Sequence, residues 1–191
     1  MDMRGERLIS APKQEIWEAL FDPEVLRQCI PGCQSVERLS DTQFKASVAL
    51  SIGPVKAKFS GDASMSEIDA PNGCKLTGKG NGGVAGFGKG DAWIKLADQD
   101  KGTLLTYEVQ ASVGGKLAQI GQRLIDSTSR KLADDFFGRF VEVIEARKTP
   151  ADTAAVPAAA PAQKTAQSSA WPFVWGALAF AVVAGIFYVL A

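Results

Sequence analysis

The chain has no histidine, and only three of its 191 residues are cysteine. The first absence removes imidazole general bases, Ser–His and Cys–His nucleophile pairs, haem held by a proximal histidine, and the iron site built from two histidines and a carboxylate. Carboxylate, lysine and tyrosine chemistry remain. The cysteines, Cys29, Cys33 and Cys74, are odd in number. The N-terminal MDMRGERLIS has no apolar stretch of signal-peptide length, so reduced thiols in a cytosol-like compartment are expected. A closed zinc site wants four ligands, mostly Cys or His. Cys29-x-x-x-Cys33 therefore reads as two incidental thiols around Pro31-Gly32. Net charge is missing too. The chain carries 21 bases and 21 acids, a balance with no general pull toward nucleic acid.

Charge is scarcest at the C-terminus. Residues 149–191 hold one acid, Asp152, and one base, Lys164, so 20 of the 21 of each sign fall in residues 1–148. Trp171–Ala191, WPFVWGALAFAVVAGIFYVLA, is 21 residues without a charge. As a helix it would span roughly 31 Å, about one bilayer core. Trp171, Trp175 and Tyr188 sit near its ends, as interfacial aromatics do. Thr149–Ala170 is rich in Ala, Pro, Thr, Gln and Ser and has too little apolar bulk to fold alone. The expectation is a folded domain over 1–148, a flexible Ala/Pro-rich linker over 149–170 and a transmembrane tail anchor over 171–191. It predicts a single-pass protein of the cytoplasmic membrane, with the domain and Lys164 on the cytoplasmic side.

Within residues 1–148, MRGERLIS reads as a strand. APKQEIWEALFDPEVLRQCI reads as two short helices divided at Asp22-Pro23. Period-two alternation then runs from Gln34 to Val113. Phe44, Ala46, Val48, Leu50 and Ile52 lie on one face. After Gly53-Pro54, the same face carries Val55, Ala57, Phe59, Gly61, Ala63 and Met65. About six strands joined by short turns form an antiparallel meander. Residues 116–148 contain no proline. Leu117, Ile120, Leu124, Thr128, Leu132, Phe136, Phe140 and Ile144 recur at helical spacing, which predicts one helix of about 33 residues, roughly 50 Å long. The fold class is α+β, a curved antiparallel sheet around a long C-terminal helix.

GNGGVAGFGKG, residues 80–90, has six glycines in eleven positions. Gly80-x-Gly82-x-x-Ala85 fits a dinucleotide fingerprint only loosely. That fingerprint needs a helix after it, and strand-forming residues follow here. Meander connectivity gathers four glycine-bearing connections at one end of the sheet: Gly32, Gly53, the loop around Gly82–Gly88, and Gly114-Gly115. Two readings stay open for these glycines: plain turns and bulges, or the rim of a cavity mouth formed by Gly53, Gly86, Phe87, Gly88, Gly114 and Gly115.

The inward faces leave a similar choice. Small residues recur there, among them Ala57, Gly61, Ala63, Gly78, Ala92, Ala111, Ala118 and Gly121. They imply either a tightly packed core or an apolar cavity. Phe44, Val48, Phe59, Leu76, Ile94, Tyr107, Val109, Leu117, Ile120 and Leu124 would form the walls of a cavity and would contact a ligand, with Gly61, Ala63, Gly78, Ala92 and Gly121 leaving room for it. Alternation puts Glu108 on the opposite face from Tyr107. Asp134 and Asp135, about 100° apart on a helix, read as a solvated face.

GERLISAPKQEIWEALFDPEVLRQCIPGCQSVE, IGPVKAKFSGDA, GKGNGGVAGFGKGDAWIKL and VGGKLAQIGQRLID together resemble the family of the carbon monoxide dehydrogenase CoxG subunit, of the START-like (SRPBCC) helix-grip superfamily. The resemblance covers nearly all of residues 1–147. It implies a non-enzymatic accessory protein to a molybdenum hydroxylase of the carbon monoxide dehydrogenase type, attached to the cytoplasmic membrane. It also implies a lipid-accepting cavity that carries a quinone, menaquinone or ubiquinone, for delivery of electrons to the respiratory chain, and it favours the cavity reading of the inward face. It brings no catalytic residue and no metal. The alternatives are an adaptor with a filled core, or a cavity enzyme of the same superfamily with an acid or base inside.

Overall fold

The computed structural model describes residues 1–148, so the expected linker and tail anchor lie outside the described residues. Strand β1 (Asp2–Ile9) leads to helices α1 (Lys13–Leu20) and α2 (Pro23–Cys29). Strands β2 (Cys33–Arg38), β3 (Gln43–Ile52), β4 (Val55–Asp69), β5 (Gly73–Asn81), β6 (Phe87–Gln99) and β7 (Gly102–Gly114) follow, with a 3-10 turn, Gly83–Ala85, between β5 and β6. Helices α3 (Lys116–Gln119) and α4 (Gln122–Lys148) end the described chain.

The sheet order is β1-β7-β6-β5-β4-β3-β2, antiparallel throughout. The six-strand meander is as the alternation requires, and β1 returns to pair with β7. Phe44, Ala46, Val48 and Ile52 of β3 and Leu105, Tyr107 and Val109 of β7 are buried on the inner face. Helix α2 starts where Asp22 accepts the Glu24 backbone N–H at 2.9 Å, with Pro23 in the first turn. Ile16, Leu20, Phe21, Val25 and Leu26 bury the apolar faces of α1 and α2.

The single long helix does not hold as expected. α3 and α4 are separate, because Gly121 adopts φ +94° between them. A left-handed residue cannot continue an α-helix, and glycine takes that conformation without a Cβ penalty. The interruption turns the buried stripe by about one residue. Ile125, Ser129 and Ala133 face inward where Leu124 and Thr128 were expected. From Leu132 onward the expected stripe holds, with Phe136, Phe140 and Ile144 buried and Phe137 beside them.

Helix α4, about 40 Å long, is held chiefly by these aromatics. Phe137 stacks on Tyr107 at 5.1 Å between ring centroids, and Phe136 meets Phe137 edge-on at the same distance. Each such side chain contributes roughly 1.5–3 kcal/mol on burial. Arg147 donates to Asp22 at 2.9 Å and Arg7 pairs with Asp134, tying the helix to α2 and β1. Pairs this exposed add about 1 kcal/mol or less. Asp134 and Asp135 are thus surface ion-pair members, the latter with Lys131 at 2.9 Å.

Several glycines seat aromatic rings. A Cβ at Gly82 would run into the ring of the buried Phe59, and one at Gly114 into the ring of Phe87. At Gly5 the same space is taken by the end of Tyr107. Gly82→Ala should therefore push Phe59 off its rotamer and lower stability by roughly 1–3 kcal/mol. Phe59→Leu placed in that background should return part of the loss, read by denaturant melts of the single and double variants.

The three cysteines are free. Burial pushes the thiols of Cys29 and Cys74 up to about 12, and raises that of Cys33, which is half-buried. Thiols held protonated at neutral pH are poor nucleophiles and poor metal ligands. Alkylation of the folded domain at pH 8 should label Cys33 first and leave Cys29 and Cys74 unmodified, whereas denaturant should expose all three. Rapid labelling of Cys29, seen as mass addition on its peptide, would contradict the packing described.

Candidate functional site: a small-residue floor under a glycine-rich rim

The register brings the expected small residues into rows. Ala63 of β4 lies opposite Gly78 of β5, Gly78 opposite Gly90 of β6, and Gly90 opposite Ala111 of β7. The next row toward the hairpin ends is Ala46, Gly61, Gly80, Gly88 and Val113. Ala46, Ala63 and Gly78 are buried, and Ala111 and Val113 pack on the core, so both rows belong to the inner face. Across four strands this floor bears no side chain larger than alanine until Val113. A Cβ at Gly90 would approach the Cβ of Ala111 to 2.8 Å, so glycine lets β6 and β7 close up where the sheet curves.

Larger residues border the floor. Phe44, Val48, Phe59, Leu76, Ile94, Tyr107, Val109 and Leu117 are all buried in one core cluster, together with Ala63 and Ala92. Ile120 is partly buried against it. Two residues expected inside are elsewhere. Gly121 is exposed with open space around its Cα, and Leu124 is 38% exposed. Ala118 is also exposed. The reason is the turn at Gly121, which rotates the start of α4. A leucine at position 121 would meet the strain of positive φ, not a cavity.

The glycine-bearing connections meet at one end of the sheet, as the meander order required. The Leu124 side chain lies over the β3–β4 hairpin, where a Cβ on Gly53 would be 2.8 Å from its Cδ2. A Cβ on Gly115 would be 2.6 Å from the Gly86 Cα, so the β5–β6 loop touches the end of β7. Gly86 and Gly88 are buried, Gly88 in the floor itself, while Phe87 covers Gly114 and is 54% exposed. Hairpin, 3-10 turn and the α3–α4 corner thus meet at one pole. Ala85 in the 3-10 turn, buried at 4%, was missed by alternation because it belongs to no strand. Ile125 was missed for want of the break at Gly121, a signal a glycine inside a helical pattern does offer; Phe137 was missed because the stripe was drawn through Phe136 alone, whereas both are buried.

Chemistry in the described interior is sparse. Its buried polar residues are Thr103 and Ser129, whose hydroxyls donate to the carbonyls of Ala11 and Ile125 at 2.8 Å each. Burial raises the Tyr107 phenol, with Arg7 opposing, so it stays protonated at neutral pH. Glu108 is exposed on the outer face, as alternation required. There it borders an open groove of about 730 Å³, with Arg4, Glu6, Trp93 and Lys95. Among the described residues no cluster of three or more Cys, Asp or Glu is arranged to hold a metal ion. An apolar floor and walls with bonded hydroxyls suit an apolar guest better than a reacting one.

The chain is similar to a conserved protein from Geobacillus kaustophilus of known crystal structure. The two share 34% identity and a TM-score of 0.72, over 76% of this chain and 96% of that one. Protein Ms6760 from Mycobacterium smegmatis is 17% identical, with a TM-score of 0.57 over 76% of this chain and 92% of that one. TTHA0849 from Thermus thermophilus is 14% identical, with a TM-score of 0.56 over 78% of this chain and 100% of that one. These last two likenesses show the fold alone. No curated protein matches the chain. The family model of the carbon monoxide dehydrogenase CoxG subunit matches residues 5–145, and with the helix-grip architecture this places the chain in the CoxG family, whose members are accessory and not catalytic subunits.

Proposed function

We propose that this chain is a membrane-tethered carrier that holds a quinone, menaquinone or ubiquinone, between α4 and the sheet and serves a molybdenum hydroxylase of the carbon monoxide dehydrogenase type. The observation that carries the ligand reading is the two-row floor, Ala63–Gly78–Gly90–Ala111 and Ala46–Gly61–Gly80–Gly88, bounded by buried Phe44, Phe59 and Leu76. A flat ring fits against a surface without side chains, and an isoprenoid chain needs only apolar walls. The family supplies the partner. The uncharged 21-residue stretch Trp171–Ala191 supplies the anchor reading; among the described residues no helix is long and apolar enough to cross a membrane. Electrons would then pass from the hydroxylase to the respiratory chain by way of the carried quinone.

A second reading, a recruiting adaptor without ligand, is favoured by the ring of the buried Phe59 seated on Gly82. That ring fills part of the room that glycine leaves. The two readings separate at the floor. Gly78→Val adds a branched side chain between Ala63 and Gly90. For a carrier it should weaken binding of a short-chain ubiquinone or menaquinone analogue at least tenfold in calorimetric titration, with the melting temperature kept. For a filled core it should cost roughly 1–3 kcal/mol of stability, and no quinone should bind either protein.

The anchor reading has its own test. The full chain should stay with membranes through a high-salt wash, and residues 1–148 should be released with an unchanged circular dichroism spectrum. Release of the full chain under the same wash would remove Trp171–Ala191 as an anchor.

A further inference from the structure

The glycine-rich pole has a charge that the neutral composition hides. Residues 47–61, 79–90 and 111–125 form the ends of β3 to β7, their connections, α3 and the start of α4. They contain six bases, Lys56, Lys58, Lys79, Lys89, Lys116 and Arg123, and no acid. All six are exposed. Among the described residues none of the six lies within 4.0 Å of a carboxylate, whereas Lys13, Lys75, Lys131 and Arg147 each do. The first acids beside these segments are Asp2, Asp62, Asp91 and Asp126, and Asp62 stands opposite Lys79 on β4 and β5 without pairing to it. Lys79 and Lys89 stand directly opposite each other on β5 and β6, a like-charge pair that costs stability in isolation.

Three apolar side chains project at the same pole. Val84 is 85% exposed, Phe87 is 54% exposed, and Leu124 stands beside Gly53. The far pole also shows Leu39 and Ile68, but its turns carry Asp41, Glu67, Asp69, Asp98 and Asp100. Among the described residues, the far pole sets its one turn base, Lys101, among those five acids, whereas the three glycine-rich segments join apolar tips to six bases and no acid.

We propose that this pole, the Val84–Phe87 loop with its surrounding lysines, docks directly on an anionic lipid surface. Specific protein interfaces fix their register with charges of both signs. A lipid surface needs only the right sign, and a polar rim around isolated apolar tips lets those tips enter the headgroup region. The absence of any acid from all three segments fits the lipid case. The inference rests on the described rim and needs neither the anchor nor a bound quinone. It is compatible with the anchor: α4 carries Lys148 about 40 Å away from the rim, and the 22 residues of 149–170 can extend to roughly 75 Å.

Residues 1–148 enclose their own core, and the Geobacillus kaustophilus structure is almost wholly this domain, so the domain can be tested alone. It should float with vesicles of phosphatidylcholine and phosphatidylglycerol at low ionic strength and not with phosphatidylcholine alone, and salt should release it. Each lysine at an anionic surface is worth roughly fivefold in partition. Lys56→Gln, Lys79→Gln and Lys89→Gln together should therefore lower binding on the order of a hundredfold, while Lys101→Gln at the far pole leaves it unchanged. Val84→Ser with Phe87→Ser should weaken it as well, with the fold checked by circular dichroism. Three results would overturn the proposal: no flotation with anionic vesicles at low salt, a triple variant that binds as the parent does, or retention on immobilised poly-glutamate without flotation. The last would mark the pole as a dock for an acidic protein. None of these results bears on the tail anchor or on quinone binding.

Discussion

Phe137 anchors α4 to Tyr107 of β7, with Phe136 and Phe140 packed beside it, and the rest of the domain is arranged around that contact. Phe137 lies flat on Tyr107, and Tyr107 lies across Gly5 on the edge strand. Arg7–Asp134 and Arg147–Asp22 add surface ties on either side of this cluster. The interior is dense and aromatic there. Toward the start of the helix the buried side chains shrink to Ala133, Ser129 and Ile125. The facing strands lose their side chains over the same stretch, through Gly78, Gly90, Gly61, Gly80 and Gly88.

Close packing makes this pairing consequential. A surface without side chains must be met by a neighbouring ring, by a closer strand, or by a guest. All but the last are visible at particular positions. Phe59 comes over Gly82, and β7 closes on Gly90. The middle of the floor, between Ala63 and Ala111, is where the carrier reading places its guest. The pole above it is built of backbone with little side-chain bulk, since hairpin, 3-10 turn and helix corner meet at Gly53, Gly86 and Gly115. Contacts of that kind involve little buried apolar area and open at low cost. The six bases surround the same pole, so the proposed entrance and the proposed docking face coincide.

Much of this was legible in the sequence, and the limits of legibility have physical causes. Period-two alternation from Gln34 to Val113 fixed which side of each strand faces inward, because a one-residue slip would have exposed Phe44, Phe59 and Tyr107 together. Meander connectivity alone brought the glycines to one end. The break at Gly121 was not read, because a single glycine is tolerated inside many helices and its φ depends on where the next element must go. From that one conformation followed the exposure of Leu124 and the burial of Ile125.

By itself, then, the sequence determined the strand faces, the element order, the glycine pole and the absence of imidazole chemistry. These are local or one-dimensional properties: periodicity, composition and the order of turns. Only the tertiary structure decided that small residues from four strands align into two rows, that aromatic rings settle on Gly5, Gly82 and Gly114, and that six unpaired bases share one end of a neutral molecule. Those facts depend on register between strands and on distances between residues far apart in the chain. No single segment encodes them, because each is a relation between segments that exists only once the sheet has closed against the helix.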